Sequence, residues 1–559
     1  MKFTAICLLA ASFCVATAQP HSSATNSFTV HIVVDAKDTE GRLAPIWSFF
    51  GADEPNYATM RNGSKLLGEL GALGPQHVYF RAHNLLTSGD GTPALKWGST
   101  GAYDEDAQGL PRYNWTILDG IFSTYLEHGL RPYVEIGFMP KALSTRPEPY
   151  QHHWTPTAPY GDIFTGWAFP PKDYRKWGDL AFEWARHCVE KYGRPEVQQW
   201  YWEVWNEPNI GYWRGSFEEF LKLHDFAIAG VRRALPKARV GGPDVAGSGG
   251  RFMRRFLEHC LHGTNYATGQ IGTPLDFVSF HAKGAPIFTN GHVRMGIAAQ
   301  LRTIADGFRL VNSFPELRGK PIVIGESDPE GCAACQGAAL AYRNGTMYSS
   351  YTAAVFARNY DLAQRYQVNL EGALTWAFEF EDQPYFAGFR SLASNGLDKP
   401  VLNVFRMFSQ MSGQRVRSQS DHAVSWARIS TEGVRQQADV SALASLDRNT
   451  LCVLVWHYHD DDVPGPEAEV TVSLNNLPLM NGPAKLEQFR VDETHSNSFA
   501  EWKRLGAPQN PTPAQYAELE RAGQLMRLGP PETISITSGG AAVRFILSRQ
   551  AVGLLKLEW

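Results

Sequence analysis

The chain has no surplus of positive charge. Its net charge is −4 with histidine neutral, which leaves no basic footprint for nucleic acid and no strong steering field. Cysteine is scarce, seven in 559 residues. Cys7 and Cys14 fall in an N-terminal leader, and Cys188, Cys260, Cys332, Cys335 and Cys452 are an odd set rather than a disulfide framework. Cys332-Ala-Ala-Cys335 reads as a loop staple or as two buried thiols. A zinc site would need a second ligand pair, and a redox motif would need a βαβ setting; neither is present. No apolar run beyond the N-terminus is long enough to span a bilayer. No glycine-rich phosphate turn follows an early strand, which removes the signature of a doubly wound nucleotide fold. There is no internal repeat and no low-complexity tract.

What is present begins with a leader. Lys2, the apolar run Phe3 to Val15 and the small-residue site Ala16-Thr17-Ala18 make residues 1–18 a signal peptide, with Gln19 as the mature start. The expectation is a secreted or periplasmic protein with no membrane span after cleavage. Hydrophobic residues at 43% and charged residues at 19% fit a folded chain. A chain of 559 residues exceeds what one core holds, about 250–300 residues, so two domains are expected. The 16 tryptophans must line a core or a cleft, and a large core accounts for most of them.

Over residues 45–395, apolar strand-like runs alternate with helical patterns. The runs are Ile46–Phe50, His77–Arg81, Tyr133–Phe138, Trp200–Trp205, Ala238–Gly242, Phe277–His281, Ile322–Glu326 and Ala373–Phe378. Between them, Tyr174 to Tyr192 places Trp177, Leu180, Ala181, Trp184, Ala185 and Cys188 on one helical face. Phe217 to Leu235 and Thr346 to Tyr366 repeat that spacing. Eight strands alternating with helices predict a (β/α)8 TIM barrel of the α/β class. Over residues 396–559 the pattern changes to short strands parted by turns: Val424–Ile429, Leu451–Trp456, Ala468–Leu474 and Ala542–Leu547. They predict a C-terminal antiparallel β-sandwich. Within residues 19–44, Phe28 to Val34 reads as a strand joining it, preceded by a loose Ser/Thr/Asn-rich stretch.

Two of the barrel runs end on a carboxylate. Trp200 to Trp205 leads into Asn206-Glu207-Pro208, where Pro208 keeps Glu207 out of helical geometry at the strand exit. Pro321 to Gly325 leads into Glu326. In a barrel these exits share the catalytic face, and strands four and seven stand across the mouth from each other. Two carboxylates flanking one sugar suit glycoside hydrolysis: one protonates the leaving oxygen while the other attacks the anomeric carbon. Glu207, beside Trp205, suits the acid, which must hold its proton near neutral pH. The bland alternative is a pair of solvated glutamates just past buried strands.

With these motifs the chain resembles glycoside hydrolase family 39, the β-xylosidase and α-L-iduronidase family. Gly241-Gly242-Pro243, Phe277–His281 and the tail segment Asp492–Asn497 with Trp502 add to the resemblance, which spans the whole mature chain. It implies Glu207 as acid/base and Glu326 as nucleophile. It implies Asn206, His83 and His281 as sugar-binding residues, with Trp376 and Glu379 closing the site; which of Glu379, Glu381 and Asp382 faces inward stays open. For His83 and His281 the alternative is a buried structural histidine. Asn206 to Trp213 looks like the bacterial β-xylosidase branch, whereas His281-Ala-Lys283-Gly-Ala resembles the iduronidase branch, in which Lys283 would meet a sugar carboxylate. The resulting expectation is a retaining β-xylosidase releasing xylose from xylo-oligosaccharides, with no cofactor and no metal. An iduronidase-like enzyme, an arabinopyranosidase, a β-galactosidase or a non-catalytic carbohydrate-binding protein are the alternatives.

Overall fold

The structure is a computed structural model that describes residues 27–74 and 78–559. The signal-peptide reading, from Lys2 to Gln19, lies outside the described residues, as does His77.

Eight strands form one parallel sheet in strict chain order. They are Phe49–Ala52, Val78–Ala82, Leu130–Ile136, Tyr201–Val204, Arg239–Val245, Phe277–Lys283, Pro321–Asp328 and Asn369–Ala373. The end of the sheet returns to its start. Gly51 N donates to Thr375 O at 3.1 Å, and Thr375 N donates to Phe49 O at 2.9 Å. The sheet is therefore a closed (β/α)8 barrel.

The outer helices start where the sequence supplies caps. Asp173 accepts from the backbone of Arg175 and Lys176 to open Tyr174–Tyr192. Ser216 and Glu219 form a reciprocal capping box at the start of Phe217–Ala234. These two helices pack at backbone contact. A Cβ on Gly230 would stand 2.2 Å from the carbonyl oxygen of Gly178, so only glycine fits there.

Several barrel strands differ in their bounds from the sequence reading: strand three, expected over Tyr133–Phe138, runs Leu130–Ile136, and strand five, expected over Ala238–Gly242, runs Arg239–Val245. Strand one, expected over Ile46–Phe50, runs Phe49–Ala52. Strand eight, expected over Ala373–Phe378, is Asn369–Ala373. The apolar residues that suggested a longer strand eight, Trp376 and Phe378, are buried beyond the end of the ladder, where they fill the mouth of the barrel.

Alternate residues of each strand face the barrel axis. At the lower end Phe49, Tyr79, Tyr133, Tyr201 and Phe277 stack into an aromatic floor, with Tyr133 and Tyr201 ring centroids 4.8 Å apart. Two residues further along three of these strands come Arg81, Glu135 and Glu203, all fully buried. One more step reaches His83 and His281. Charge thus occupies the middle of the barrel, directly beneath the mouth.

The second domain is a ten-stranded sheet folded over one apolar core. Its first strand is the N-terminal Phe28–Arg42, which runs antiparallel to Gln414–Ser420 and parallel to Ala468–Asn475. The other pairings are antiparallel. Strand Thr450–Tyr458 is apolar from Leu451 to Trp456 because both faces are covered there: Leu451, Val453 and Val455 enter the sandwich core, while Cys452, Leu454 and Trp456 join the core of the barrel side. Strand Ala468–Asn475 covers one face only and accordingly alternates.

One predicted strand is a helix. Val424–Ile429 reads as extended, but Trp426–Glu432 is helical. Ser425 accepts from Arg428 N and so caps it, and Ile429 is its buried anchor. Cys332 and Cys335 form a disulfide that staples the loop after strand seven, with Cα atoms 5.4 Å apart. Cys188, Cys260 and Cys452 are buried free thiols.

Candidate active site

Glu207 and Glu326 meet over the barrel mouth. Strand four ends in a backbone reversal that only strong local contacts can hold. Trp205 and Glu207 both take left-handed conformations, at φ 73° and 43°. The indole of Trp205 donates to Tyr212 O at 2.9 Å, and Glu207 N donates to Asp244 O at 3.0 Å. The Glu207 side chain stays 15% exposed, whereas that of Glu326 is 5% exposed near the end of strand seven.

His281 stands between the two acids. Its Nδ1 lies 2.9 Å from Glu207 Oε1 and 3.8 Å from Glu326 Oε2. The two carboxylate oxygens are therefore no more than about 6.7 Å apart, the two legs laid end to end. The imidazole Nε2 lies 2.8 Å from Asp244 Oδ2. Burial alone would lower the His281 pKa, but Asp244 and Glu326 push it up to about 10. The ring is thus an imidazolium at neutral pH and donates from both nitrogens.

Glu326 is held as an anion. Burial by itself would favour the neutral acid, but Lys283, His281 and Arg81 outweigh it and hold the carboxyl far below the usual range. Lys283 Nζ donates to Glu326 Oε2 and to Asp328 Oδ2, each at 2.5 Å. Arg81 Nη1 approaches Glu326 Oε1 at 3.6 Å. The same guanidinium pairs with Glu135 at 2.7 Å, with Glu203 and Asp244 more closely still, and with Asn206 Oδ1 at 3.2 Å. Burial and the neighbouring Asp244 raise Glu203 to about 8, so it keeps its proton at neutral pH. Burial likewise pushes Glu135 well above the ordinary carboxylate range. The interior thereby avoids stacking unpaired negative charge.

His83 joins the site from strand two. Its Nδ1 lies 2.6 Å from Glu135 Oε2, and its Nε2 lies 3.6 Å from Glu326 Oε1. Burial and Arg81 hold it well below its usual pKa, so it is neutral. Trp376 packs on it with ring centroids 4.3 Å apart and donates from Nε1 to Asp53 Oδ1 at 3.1 Å. The structure thus brings together Glu207, Glu326, Asn206, His83, His281, Lys283 and Trp376.

It does not bring in Glu379. That side chain is buried off the mouth, where its Oε1 accepts from Gly396 N at 2.6 Å. Burial raises it to about 7. Glu381 instead accepts from the backbone of Asn62 and Gly63, and Asp382 is exposed. No hydrogen bond or ion pair among the described residues links any of the three to Glu207 or Glu326. Past Ala373 the chain has left the ladder, so strand alternation no longer tells which side chain faces the axis.

The sequence reading missed Arg81, Glu135, Glu203, Asp244, Asp53 and Lys96. The first three sit two residues beyond Tyr79, Tyr133 and Tyr201, a spacing that points them at the axis. Asp53 follows strand one and ion-pairs with Lys96, a buried lysine from the long loop after strand two. No periodicity could have paired those two. Among the described residues, no cluster of His, Cys, Asp and Glu is arranged to hold a metal ion.

The sequence model of Glycosyl hydrolases family 39 matches residues 30–530. A β-xylosidase of Geobacillus stearothermophilus is 25% identical over 499 residues, 86% of this chain and 86% of that one. The α-L-iduronidase of Homo sapiens is 27% identical over 471 residues, 78% of this chain and 64% of its own. Among solved structures, a bacterial orthologue of human α-L-iduronidase superposes with a TM-score of 0.74 at 18% identity, over 95% of this chain and 84% of that one.

Proposed function

Because the chain belongs to glycosyl hydrolase family 39, we propose that it is a retaining exo-glycosidase that works by double displacement and releases xylose from the non-reducing ends of xylo-oligosaccharides. The observation that carries the mechanism is His281 bridging the acids, which caps their separation at about 6.7 Å. Retention needs ~5–5.5 Å, and most of the inverting range of ~6.5–9.5 Å lies beyond that cap. Glu326, ionised and nearly closed off from solvent, is the nucleophile. A carboxylate oxygen attacks the anomeric carbon as the glycosidic bond breaks, and Glu207 gives its proton to the departing oxygen. Glu207 then takes a proton from water, which displaces Glu326 from the glycosyl ester. In this reading Asn206, whose Oδ1 accepts from Arg81 Nη2, holds a sugar hydroxyl during the reaction.

Xylose is favoured by the β-xylosidase relative, which is aligned over most of both chains. One observation favours a second sugar. Lys283 reaches the site and keeps 16% of its side chain exposed, so a uronic acid carboxylate could share its ammonium. Lys283→Ala would not separate the two readings, because loss of the contact to Glu326 would slow every substrate. The parent enzyme with matched aryl β-xyloside and α-L-iduronide does separate them. Faster β-xyloside cleavage is expected, with the β-anomer as first product by NMR; a preference for the uronide, or an inverted product, would overturn the sugar or the mechanism respectively. Glu326→Gln is expected to lower turnover by about four orders of magnitude or more. Glu207→Ala should regain turnover of an activated aryl glycoside when azide is added.

Export belongs to the same proposal. The Cys332–Cys335 disulfide suits an oxidising compartment, and N-terminal sequencing of secreted protein should start at Gln19.

A further inference from the structure

Beside the catalytic mouth lies a second cavity of about 740 Å³, walled by both domains. The barrel contributes Arg61 and Asn62 from the start of the helix after strand one, and the segment Glu381–Tyr385 after strand eight. Helix starts and strand ends share one face of a barrel, so both walls stand on the rim of the mouth. The tail contributes Gln509, Pro511, Pro513 and Tyr516, from an insertion that carries two short helices, Ser498–Arg504 and Pro513–Gly523.

The insertion is bolted to the barrel loop. Phe386 lies within 5.4 Å of Phe499 and 5.1 Å of Trp502, centroid to centroid, and Leu397 and Leu519 complete a small core of their own. Tyr385 and Tyr516 pack on that core and also line the cavity. The Gln509 side chain bonds the backbone of Tyr385 in both directions, at 2.9 and 3.2 Å. Gly396 is held left-handed at φ 76°, and a Cβ there would meet the Tyr516 hydroxyl at 2.8 Å. The walls are therefore fixed in place and not draped loosely over each other.

The lining has a definite chemistry. Two tyrosine rings offer flat apolar surface with a polar edge. Around them stand two carboxylates, one guanidinium and several amides. Glu381 is buried and oriented by two backbone N–H groups, at 3.0 and 3.3 Å. Arg61 and Asp382 are exposed and, among the described residues, have no side-chain hydrogen bond or ion pair. An anion would meet two carboxylates here, and an apolar molecule would strand the charges. A neutral molecule rich in hydroxyls, with flat C–H faces, meets donors, acceptors and rings together.

We infer that this seam is a second binding site, for a neutral β-linked oligosaccharide, which takes up a chain independently of the catalytic mouth. The choice of ligand class rests on the glycosidase reading above, whereas the site itself does not need turnover. The inference also gives the tail domain a role in binding, since its helical insertion supplies one wall.

The test is calorimetric. Xylohexaose and cellohexaose are titrated into the Glu326→Gln protein, with and without Tyr385→Ala and Tyr516→Ala. Two binding events are expected for at least one oligosaccharide. The tyrosine substitutions should weaken one of them by about tenfold or more. In the otherwise unaltered enzyme they should leave aryl β-xyloside cleavage unchanged. Should the tyrosine variants unfold, Arg61→Gln with Asp382→Asn removes the polar grips without touching the small core, and the same loss is expected. A single binding event for both sugars, or two events that survive both pairs of substitutions, overturns the inference. Binding lost at the seam while no glycoside is cleaved by the parent would instead keep the seam and discard the proposed activity.

Discussion

The two sheets of this protein enclose interiors of opposite character. The sandwich is filled by Ile32, Val34, Val453, Val455, Val470, Val472 and Leu555, side chains with nothing to offer but volume. The upper barrel is filled by Arg81, Glu135, Glu203, Asp244 and His281, each at 0% exposure. The first interior gains stability as apolar area leaves water. The second must counter the desolvation of every charge it holds, and it survives because each cation touches several carboxylates and burial shifts Glu203 and Glu135 toward the neutral acid. One sheet is built for stability, while the other gives up stability to hold Glu326 ionised beneath the mouth.

Arg81 is where this contrast breaks most readily. Arg81→Met keeps the volume but removes the cation that Glu135, Glu203, Asp244 and Glu326 share. Loss of one partner from such a buried set costs about 3–5 kcal/mol. Activity should collapse with it, because Glu326 loses a neighbouring cation and Asn206 loses its anchor. The counterpart in the sandwich is Ile32→Ala. Ile32 is fully buried between its two neighbouring strands, and its truncation costs about 2–5 kcal/mol by cavity formation. Thermal denaturation should register both variants. Only Arg81→Met should change kcat/KM at a temperature where both remain folded; an equal loss from Ile32→Ala would mean that the sandwich also tunes the site.

The charged interior should also be visible in pH. His281 is raised from its ordinary 6.5 to about 10 by Asp244 and Glu326, against burial. A group with a raised folded pKa contributes fully below its unfolded value and loses that contribution as pH rises through its folded value. Parent and His281→Asn should therefore differ most in thermal midpoint below about pH 6.5, and the gap should close as pH approaches about 10. A gap that stays constant across that window would show that the ring is neutral in the folded protein.

The same contrast explains how much of the molecule was legible. Glu207 and Glu326 stood out because each ends an apolar strand, and Pro208 fixes the exit of the first. The eight barrel strands stood out as runs, but they are covered on both faces, and unbroken runs conceal which residues face the axis. Arg81, Glu135 and Glu203 were hidden in plain alternation for that reason. Asp53 and Lys96 were hidden differently: they meet across a loop, and no local pattern joins residues 43 positions apart. Glu379 was misplaced because the chain beyond Ala373 follows a mouth-filling path with no period at all. In the sandwich, Ala468–Asn475 alternates cleanly because one face only is covered.

The remaining misreading yields the smallest and most local prediction. Val424-Ser-Trp-Ala-Arg-Ile429 carries the bulky residues of a strand, yet Ser425 turns the backbone into a helix by accepting from Arg428 N, at 3.4 Å. Val424 N is drawn aside at the same point, donating to Asp439 Oδ1 at 2.7 Å. Local capping and one tertiary bond therefore override the β preference of the side chains. Ser425→Ala removes the cap and should cost about 1 kcal/mol. Glycosidase activity should be unchanged, since this helix packs on the outer barrel helix Ile297–Asn312, away from the mouth. A stability loss no larger than that of an exposed serine elsewhere would mean that the Asp439 contact alone sets the helix.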